Sequence, residues 1–270
     1  MLQLDNNDFK RLVTYIKDVY GIDLTQKRQL IVGRLSNSLV SMGYTSFGPY
    51  IDDILTKKDP KDIEFVLNKL TTNYTYFYRE GAHFDYFRDT VLPHLEHTKR
   101  DKVLSIWSAG CSSGQEPYTL SMLLKEHFGT KAAAWDTRVL ATDISQNALS
   151  AAQLGVYDEE SLSALPADWK RKYFKKTSEP GVFQVSDALK NNVVFRTFNL
   201  MDPIRFKLKF DVIFCRNVMI YFDQPTKDAL IQRFYDATAP GGYLFIGHSE
   251  SLNRSKTPYQ YIMPAAYRKV

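Results

Sequence analysis

Val103-Leu104-Ser105-Ile106-Trp107-Ser108-Ala109-Gly110-Cys111-Ser112-Ser113-Gly114-Gln115-Glu116 passes from an apolar run through a glycine-flanked turn into a segment of helical character. That is a strand, a tight turn and a helix in sequence. The same form returns at Arg138-Val139-Leu140-Ala141-Thr142-Asp143, at Val193-Val194-Phe195 and at Asp211-Val212-Ile213-Phe214-Cys215. Continuous apolar runs of this length fit buried parallel strands, and strands alternating with helices imply right-handed crossovers. Residues 99–270 are therefore expected to form an α/β domain with a doubly wound, Rossmann-like sheet. Tyr243–Ile246 and Tyr259–Tyr267 are expected as two further edge strands.

Between the second and third of these strands lies a charged stretch, Gly155–Asn192. Pro180-Gly181 reads there as a turn flanked by Phe174 and Val182-Phe183. A small β-hairpin insertion is expected over about residues 172–192. Towards the N-terminus the period changes. Phe9, Leu12, Val13, Ile16, Val19 and Tyr20 recur at helical spacing up to Gly21. A second helix follows Thr25, with Ile31, Leu35, Leu39 and Met42 as its stripe and Gly43 at its end. Phe47–Leu55 and Ile63–Leu70 complete a four-helix bundle, the last helix opened by Asp59-Pro60. The expected organisation is thus a small all-α bundle over residues 1–70, a linker with a helix over 71–98 and the α/β domain beyond.

Composition bounds the function. The chain has 270 residues, room for one large domain or two modest ones at ~150 each. Its 44% apolar and 14% aromatic content supports a real core and excludes disordered and fibrous classes. No run approaches the ~20 apolar residues of a membrane span. Met1–Asp5 lacks a basic-then-apolar signal pattern, so a cytoplasmic protein is expected. Cys111 and Cys215 cannot make a disulfide framework, no Cys/His cluster has zinc spacing, and no metal is expected. A net charge of +5 is too mild to demand a nucleic-acid partner.

In open α/β sheets, ligands bind beyond the carboxyl ends of the strands at the switch point. Four features fall there: the Gly110/Gly114 turn, Asp143, the group Asn199-Leu200 with Asp202, and Arg216-Asn217 followed by Val218, Met219, Ile220 and Tyr221. The turn is not G-x-G-x-x-G, and Glu116 would repel a pyrophosphate. Asp143 can accept from both ribose hydroxyls, and Asn199-Leu200 sits where an adenine edge is commonly met. A nucleoside without phosphate fits this set better than NAD, and S-adenosylmethionine is such a ligand. Each feature has a plainer reading: loop geometry for the glycines, a helix N-cap for Asp143, satisfied loop backbone for Asn199. The cysteines read as fillers of small positions near the cleft.

Thr72–Glu80 (TNYTYFYRE), Ser112–Tyr118 (SSGQEPY), Ala141–Ile144 (ATDI), Cys215–Phe222 (CRNVMIYF) and Gly247–Glu250 (GHSE) together resemble the chemotaxis receptor methyltransferases, the CheR family, almost end to end. The resemblance implies a class I S-adenosylmethionine-dependent methyltransferase domain behind the helical bundle. It implies methyl transfer to glutamate side chains on the cytoplasmic helices of chemoreceptors, giving γ-methyl esters and S-adenosylhomocysteine. Cofactor contacts are implied for Asn73, Thr75, Arg79, Glu116, Asp143, Asn199, Leu200, Arg216 and Asn217, with Glu116 suited to the ligand's amino group. Arg79 and Tyr221 are the candidates for holding the substrate carboxylate; their plain readings are a brace for the linker and a core tyrosine with a satisfied hydroxyl. Members that bind a receptor tail do so through the β insertion, whose counterpart here, Lys175–Lys190, is short.

Lys27 and Arg34 lie on one edge of the second helix's apolar stripe and Arg28 on the other. No acid occurs from Thr25 to Met42, so this helix is expected to dock the glutamate-rich receptor. The enzyme is expected to act as a monomer. Two other readings stay open: a methyltransferase acting on RNA or a small molecule, and a non-catalytic adaptor that senses the cofactor. The first lacks the paired prolines expected after the fourth strand, where the chain has Arg216-Asn217-Val218-Met219.

Overall fold

The computed structural model describes residues 2–72 and 74–270. The chain opens with α1 (Asn6–Tyr20), α2 (Arg28–Ser41), α3 (Phe47–Lys57) and α4 (Pro60–Leu70). Local chemistry sets their ends. The Asp5 carboxylate accepts the Asp8 amide (2.7 Å) and caps α1, which stops at Gly21 with φ +73°. Asp59 caps α4 in the same way ahead of Pro60. Ile31, Leu35 and Leu39 form the buried stripe of α2, one turn apart. Met42, expected in that stripe, is 49% exposed because the helix has ended before it.

A connector follows α4 and ends in α5 (Gly81–Tyr86), a π turn (Phe87–Val91) and α6 (Leu92–Thr98). Then β1 (Ile106–Ala109), α7 (Gln115–Phe128), β2 (Val139–Asp143), α8 (Gln146–Leu154), β3 (Val156–Asp158), α9 (Ala167–Tyr173), β4 (Phe174–Lys176), β5 (Val182–Val185), α10 (Asp187–Lys190) and β6 (Val193–Thr197) alternate. The chain closes with β7 (Phe210–Cys215), α11 (Gln224–Ala237), β8 (Thr238–Ile246), β9 (Gln260–Met263) and β10 (Ala266–Arg268).

The main sheet has the order β6-β2-β1-β7-β8-β10-β9. Its first five strands are parallel, and β10 and β9 join antiparallel. The chain walks from β1 out to β6 and returns to β7 on β1's other side, so the switch point lies between β1 and β7. Three expectations change. The first strand begins at Ile106, since Val103 makes only an isolated bridge to Asp136. Tyr243–Ile246 belongs to β8, an interior strand between β7 and β10. Tyr259–Tyr267 is not one strand but the β9/β10 pair, reversing at Pro264-Ala265, where Ala265 takes φ +61°.

The insertion is larger than a hairpin. β4 and β5 pair around Pro180-Gly181, but β5 also pairs with β3, so a three-stranded antiparallel sheet runs from Val156 and is followed by α10. A three-residue strand such as β3 has too little pattern to stand out in sequence.

Alternation along the strands gives the main sheet two covered faces. Trp107, Ile213, Leu244 and Ile246 join the core that includes the N-terminal bundle and α11. Ile106, Val212, Phe214 and Phe245 join the opposite core, with α5 to α7 and the insertion. The bundle is also tied on by polar contacts. Lys17 Nζ meets Asp223 Oδ2 at 2.7 Å, the Asn199 side-chain amide donates to Val19 O (2.8 Å), and Glu64 accepts from Asn147 N (2.6 Å) and Ser145 Oγ (3.1 Å).

Candidate cofactor cleft

A cleft of about 1050 Å³, partly open to solvent, lies at the carboxyl ends of β1, β2 and β7. Its floor is the turn after β1. Gly110 and Cys111 both donate their amides to Thr142 O (2.8 and 2.9 Å), holding the turn against the end of β2. Gly110 has φ +86°, and a Cβ there would strike Val218; Gly114 has φ +95°, and a Cβ would lie 2.8 Å from Ala152 Cβ. These glycines are thus required by packing between protein segments. Ser112 lines the cleft, and among the described residues its buried hydroxyl has no hydrogen-bond partner. Such an atom asks for a ligand partner.

Asp143 ends β2. Its carboxylate accepts the Ser112 amide (2.7 Å) and the Ser145 amide (2.9 Å), one on each oxygen. Each oxygen retains acceptor capacity towards the cleft. Burial pushes its pKa up, against the pull of those amides. The plain reading as a helix cap does not hold, because Ser145 caps α8 by accepting the Ala148 amide (3.1 Å).

Arg216, at the end of β7, is the centre of an ion cluster. Its guanidinium meets Glu116 Oε2 and Glu80 Oε2, each at 3.1 Å, donates to Arg79 O and lies 4.9 Å over the Phe84 ring. Glu116 also accepts from Ser108 Oγ (2.7 Å). Burial raises the Glu116 pKa while Arg216 and Ser108 hold it down. Burial acts in the same sense on Glu80, but Arg216, Asn217 and the His248 amide outweigh it, and its pKa is lowered. Two carboxylates sharing one guanidinium leave net negative charge. That suits a ligand carrying an ammonium and a sulfonium and opposes a phosphate. Arg216 is spent on these carboxylates, so it orders Glu116, the acid of the pair that lines the cleft.

Of the residues singled out in sequence, Thr75, Arg79, Glu116, Asp143, Asn199, Leu200, Arg216, Asn217 and Tyr221 all line this cleft. Asn73 lies outside the described residues. Asp202 does not line it; it is exposed and donates its amide to Asn199 O (2.9 Å). Asn199 follows its plain reading, with the side chain spent on Val19 O and the Met201 amide. Arg79 donates to Tyr74 O (2.6 Å). The Tyr221 hydroxyl donates to Thr72 O and accepts from Thr72 N, both at 3.0 Å, pinning the connector to the loop after β7. Cys111 lines the cleft as a buried thiol whose pKa is pushed up by burial, so thiolate chemistry is disfavoured.

Lys27, Arg28 and Arg34 lie outside the cleft lining. Arg28 donates to Leu4 O (3.0 Å) and Asn6 Oδ1 (2.7 Å) and stacks on Phe9; Arg34 donates to Lys69 O and Thr71 O at the end of α4. Both basic side chains therefore also hold the bundle together. Lys27 is exposed.

Sequence reasoning gave no role to Glu80, Glu250, Tyr20 or Ile22. Glu250 is buried and accepts the amides of Gly247 (2.6 Å), Asn217 and Ile220 (both 3.1 Å), fastening the loop after β7 to the end of β8. Glu80 accepts from Asn217 Nδ2 (3.2 Å) as well as Arg216. Both acids stood inside recognisable motifs, but only the fold shows which amides they bind. Tyr20 and Ile22 enter the cleft from the end of α1.

Comparison with known proteins agrees with this geometry. Residues 73–267 match the family described as "CheR methyltransferase, SAM binding domain", and residues 7–71 match "CheR methyltransferase, all-alpha domain". A "Chemotaxis protein methyltransferase" of Borreliella burgdorferi is 39% identical over 275 residues, covering 99% of this chain and 96% of that protein. A protein of the same name from Escherichia coli is 36% identical, covering 93% of this chain and 87% of its own length. With a cleft fitted to a phosphate-free cationic nucleoside and both family domains in order, the chain belongs to the CheR methyltransferases, and S-adenosylmethionine is its cofactor.

Proposed function

We propose that the protein transfers a methyl group from S-adenosylmethionine to glutamate carboxylates on the cytoplasmic helices of chemoreceptors, forming γ-methyl esters during chemotactic adaptation. The observation that carries this reading is the position of Arg79 and Tyr221 on the lining of the cofactor cleft, beside Glu116 and Asp143. The names of the Borreliella and Escherichia relatives support chemotaxis as the setting. The cofactor, when bound, supplies an activated methyl group on a sulfonium.

What this chain must supply is position. A glutamate has a pKa near ~4.3 and is ionised at pH 7, so no general base is needed. Its desolvation and alignment are the obstacle, and positioning can contribute ~7–11 kcal/mol. In this proposal Arg79 holds the incoming carboxylate by a charge-assisted hydrogen bond. With its hydroxyl engaged by Thr72, Tyr221 serves as a positioning residue: it holds the connector that carries Thr75 and Arg79 against the cleft. Because transfer neutralises both anion and cation, a dry cleft favours it.

Three units divide the work in this proposal: residues 1–70 dock the receptor, 71–98 close the cofactor site and 99–270 hold the cofactor. The enzyme works as a monomer in the cytoplasm, on the receptor rather than in the bilayer; among the described residues no helix is long and apolar enough to cross a membrane. The test is to incubate the protein with methyl-labelled cofactor and receptor cytoplasmic fragments, then treat with mild base. Release of the label as methanol is expected from an ester. Base-stable label would point to amine or amide methylation and overturn the proposal.

A further inference from the structure

Glu80, His83 and His248 converge behind the Arg216 cluster, with one potential ligand atom from each lying within 4.8 Å of the others. Glu80 and His83 stand one turn apart at the start of α5, and His248 arrives from the loop after β8. The His83 side chain is fully buried, its ring edge-on to His248 at 4.5 Å between centroids. Its Nε2 lies 3.3 Å from Pro264 O. A carbonyl can only accept, so this contact is a hydrogen bond only when Nε2 carries the proton. With the Nε2 proton on Pro264 O, the neutral ring leaves Nδ1 as a bare lone pair. Among the described residues Nδ1 has no hydrogen-bond partner, and it faces Glu80 Oε2 at 3.7 Å. Two acceptors opposed in a buried place are stabilised by a cation between them.

We propose that Glu80 Oε2, His83 Nδ1 and the His248 imidazole form a binding site for a divalent cation of the zinc type, and that its occupation opposes cofactor binding. Two imidazoles and one carboxylate are an open three-ligand zinc set, with the fourth position left to water. Zinc bonds of about 2.0–2.2 Å in tetrahedral geometry place ligand atoms roughly 3.3–3.5 Å apart. The 3.7 Å between His83 and Glu80 is close to that already, and the exposed His248 is free to swing in. His83 is also oriented as metal-bound histidines usually are, with its other N–H on a backbone carbonyl. A single carboxylate among nitrogens disfavours magnesium and calcium, which want oxygen cages.

The coupling runs through one oxygen. Glu80 Oε2 is shared by the Arg216 guanidinium and the His248 amide, while Oε1 holds Asn217. A dication on Oε2 competes with Arg216 for that oxygen and repels its charge. Arg216 is driven onto Glu116, which removes negative charge from the cleft where the cofactor's cationic groups bind. Such linkage is reciprocal, so cofactor must weaken zinc as zinc weakens cofactor.

The experiment titrates Zn²⁺ alone into the tag-free full-length protein by calorimetry, with and without saturating S-adenosylhomocysteine, for the wild type and His248→Ala. The substitution keeps the His248 amide that Glu80 uses, and circular dichroism checks the fold. One zinc per wild-type chain is expected, with affinity lowered at least about tenfold in His248→Ala. Zinc should weaken S-adenosylhomocysteine binding at least about fivefold in the wild type and leave it unchanged in the variant. X-ray absorption of the zinc-loaded wild type should show two imidazoles on the metal. Equal zinc affinity in the two proteins, no zinc bound at micromolar concentrations, or nucleoside affinity indifferent to zinc in the wild type would each overturn the proposal.

Discussion

Asp143 has two tasks at once: it receives the amides of Ser112 and Ser145, and it presents remaining lone pairs to the cleft. Asp143→Asn keeps its shape and half its acceptors. Losing charge-assisted hydrogen bonds of roughly 1.5–3 kcal/mol should raise the dissociation constant for S-adenosylhomocysteine about 10- to 150-fold. Calorimetry on the folded variant measures this, and an unchanged constant would remove Asp143 from cofactor binding. Arg79 and Tyr221 separate by a different experiment. Tyr221→Phe frees Thr72, so cofactor affinity and turnover should fall together, whereas Arg79→Ala should cost turnover more than receptor binding. If Tyr221→Phe lowers kcat with cofactor affinity intact, its hydroxyl acts on the substrate rather than on the connector.

At the scale of elements, the turn between β1 and α7 is tuned to the loop after β7. Gly110→Ala adds a methyl against Val218 and forces a side chain onto a positive φ. The cost should be about 1–3 kcal/mol, read as a lower denaturation midpoint. The double variant Gly110→Ala/Val218→Ala should recover the steric part and keep the backbone part. Absence of any recovery would mean that the contact is not what selects glycine. The pairing of α1 with α11 sets a pH dependence. Lys17 first, then Thr226, lower the Asp223 pKa from 3.8 to about 2. A lowered carboxylate stabilises the fold above its unfolded value and loses that contribution as pH falls through the folded one. The difference in melting temperature between wild type and Asp223→Asn should therefore be full above pH 3.8 and close towards pH 2. The asparagine can still accept from the Thr226 amide, so the gap reports the charge. A gap constant across that range would show that the pair contributes nothing.

For the whole molecule, the question is how a small helical bundle and a wide sheet share one substrate. α1 and α4 already bind the α/β domain through Lys17, Val19 and Glu64, and α2, with its run free of acids, is the proposed receptor surface. Because Arg28 and Arg34 also secure the bundle, reversing them would mix docking with folding. Lys27 is exposed, and Lys27→Glu is the cleaner test. It should raise the KM for receptor several-fold, leave cofactor affinity untouched and lose its effect in high salt, since charges are screened beyond ~8 Å at 0.15 M. Wild-type KM at low salt would place docking elsewhere.

Short-range chemistry made much of this legible before any coordinates. Gly21 and Asp59-Pro60 mark helix ends because such signals need only neighbours within a turn. The apolar runs at Ile106, Val139, Val193 and Val212 mark parallel strands because burial on both faces leaves no polar alternation. Asp143, Glu116 and Arg216-Asn217 were visible as cleft residues because a doubly wound sheet brings all its strand ends to one edge. The rest required the folded chain. That β8 is interior and Tyr259–Tyr267 a hairpin depends on which strand reaches which edge, a choice between contacts distant in sequence. That Arg216 serves Glu80 and Glu116, that Tyr221 holds Thr72 and that Asn199 holds Val19 depends on side chains finding partners some 100 to 180 residues away. Hydrogen bonds and charge pairs act over a few ångströms, so their partners become definite only when tertiary packing has brought those ångströms about.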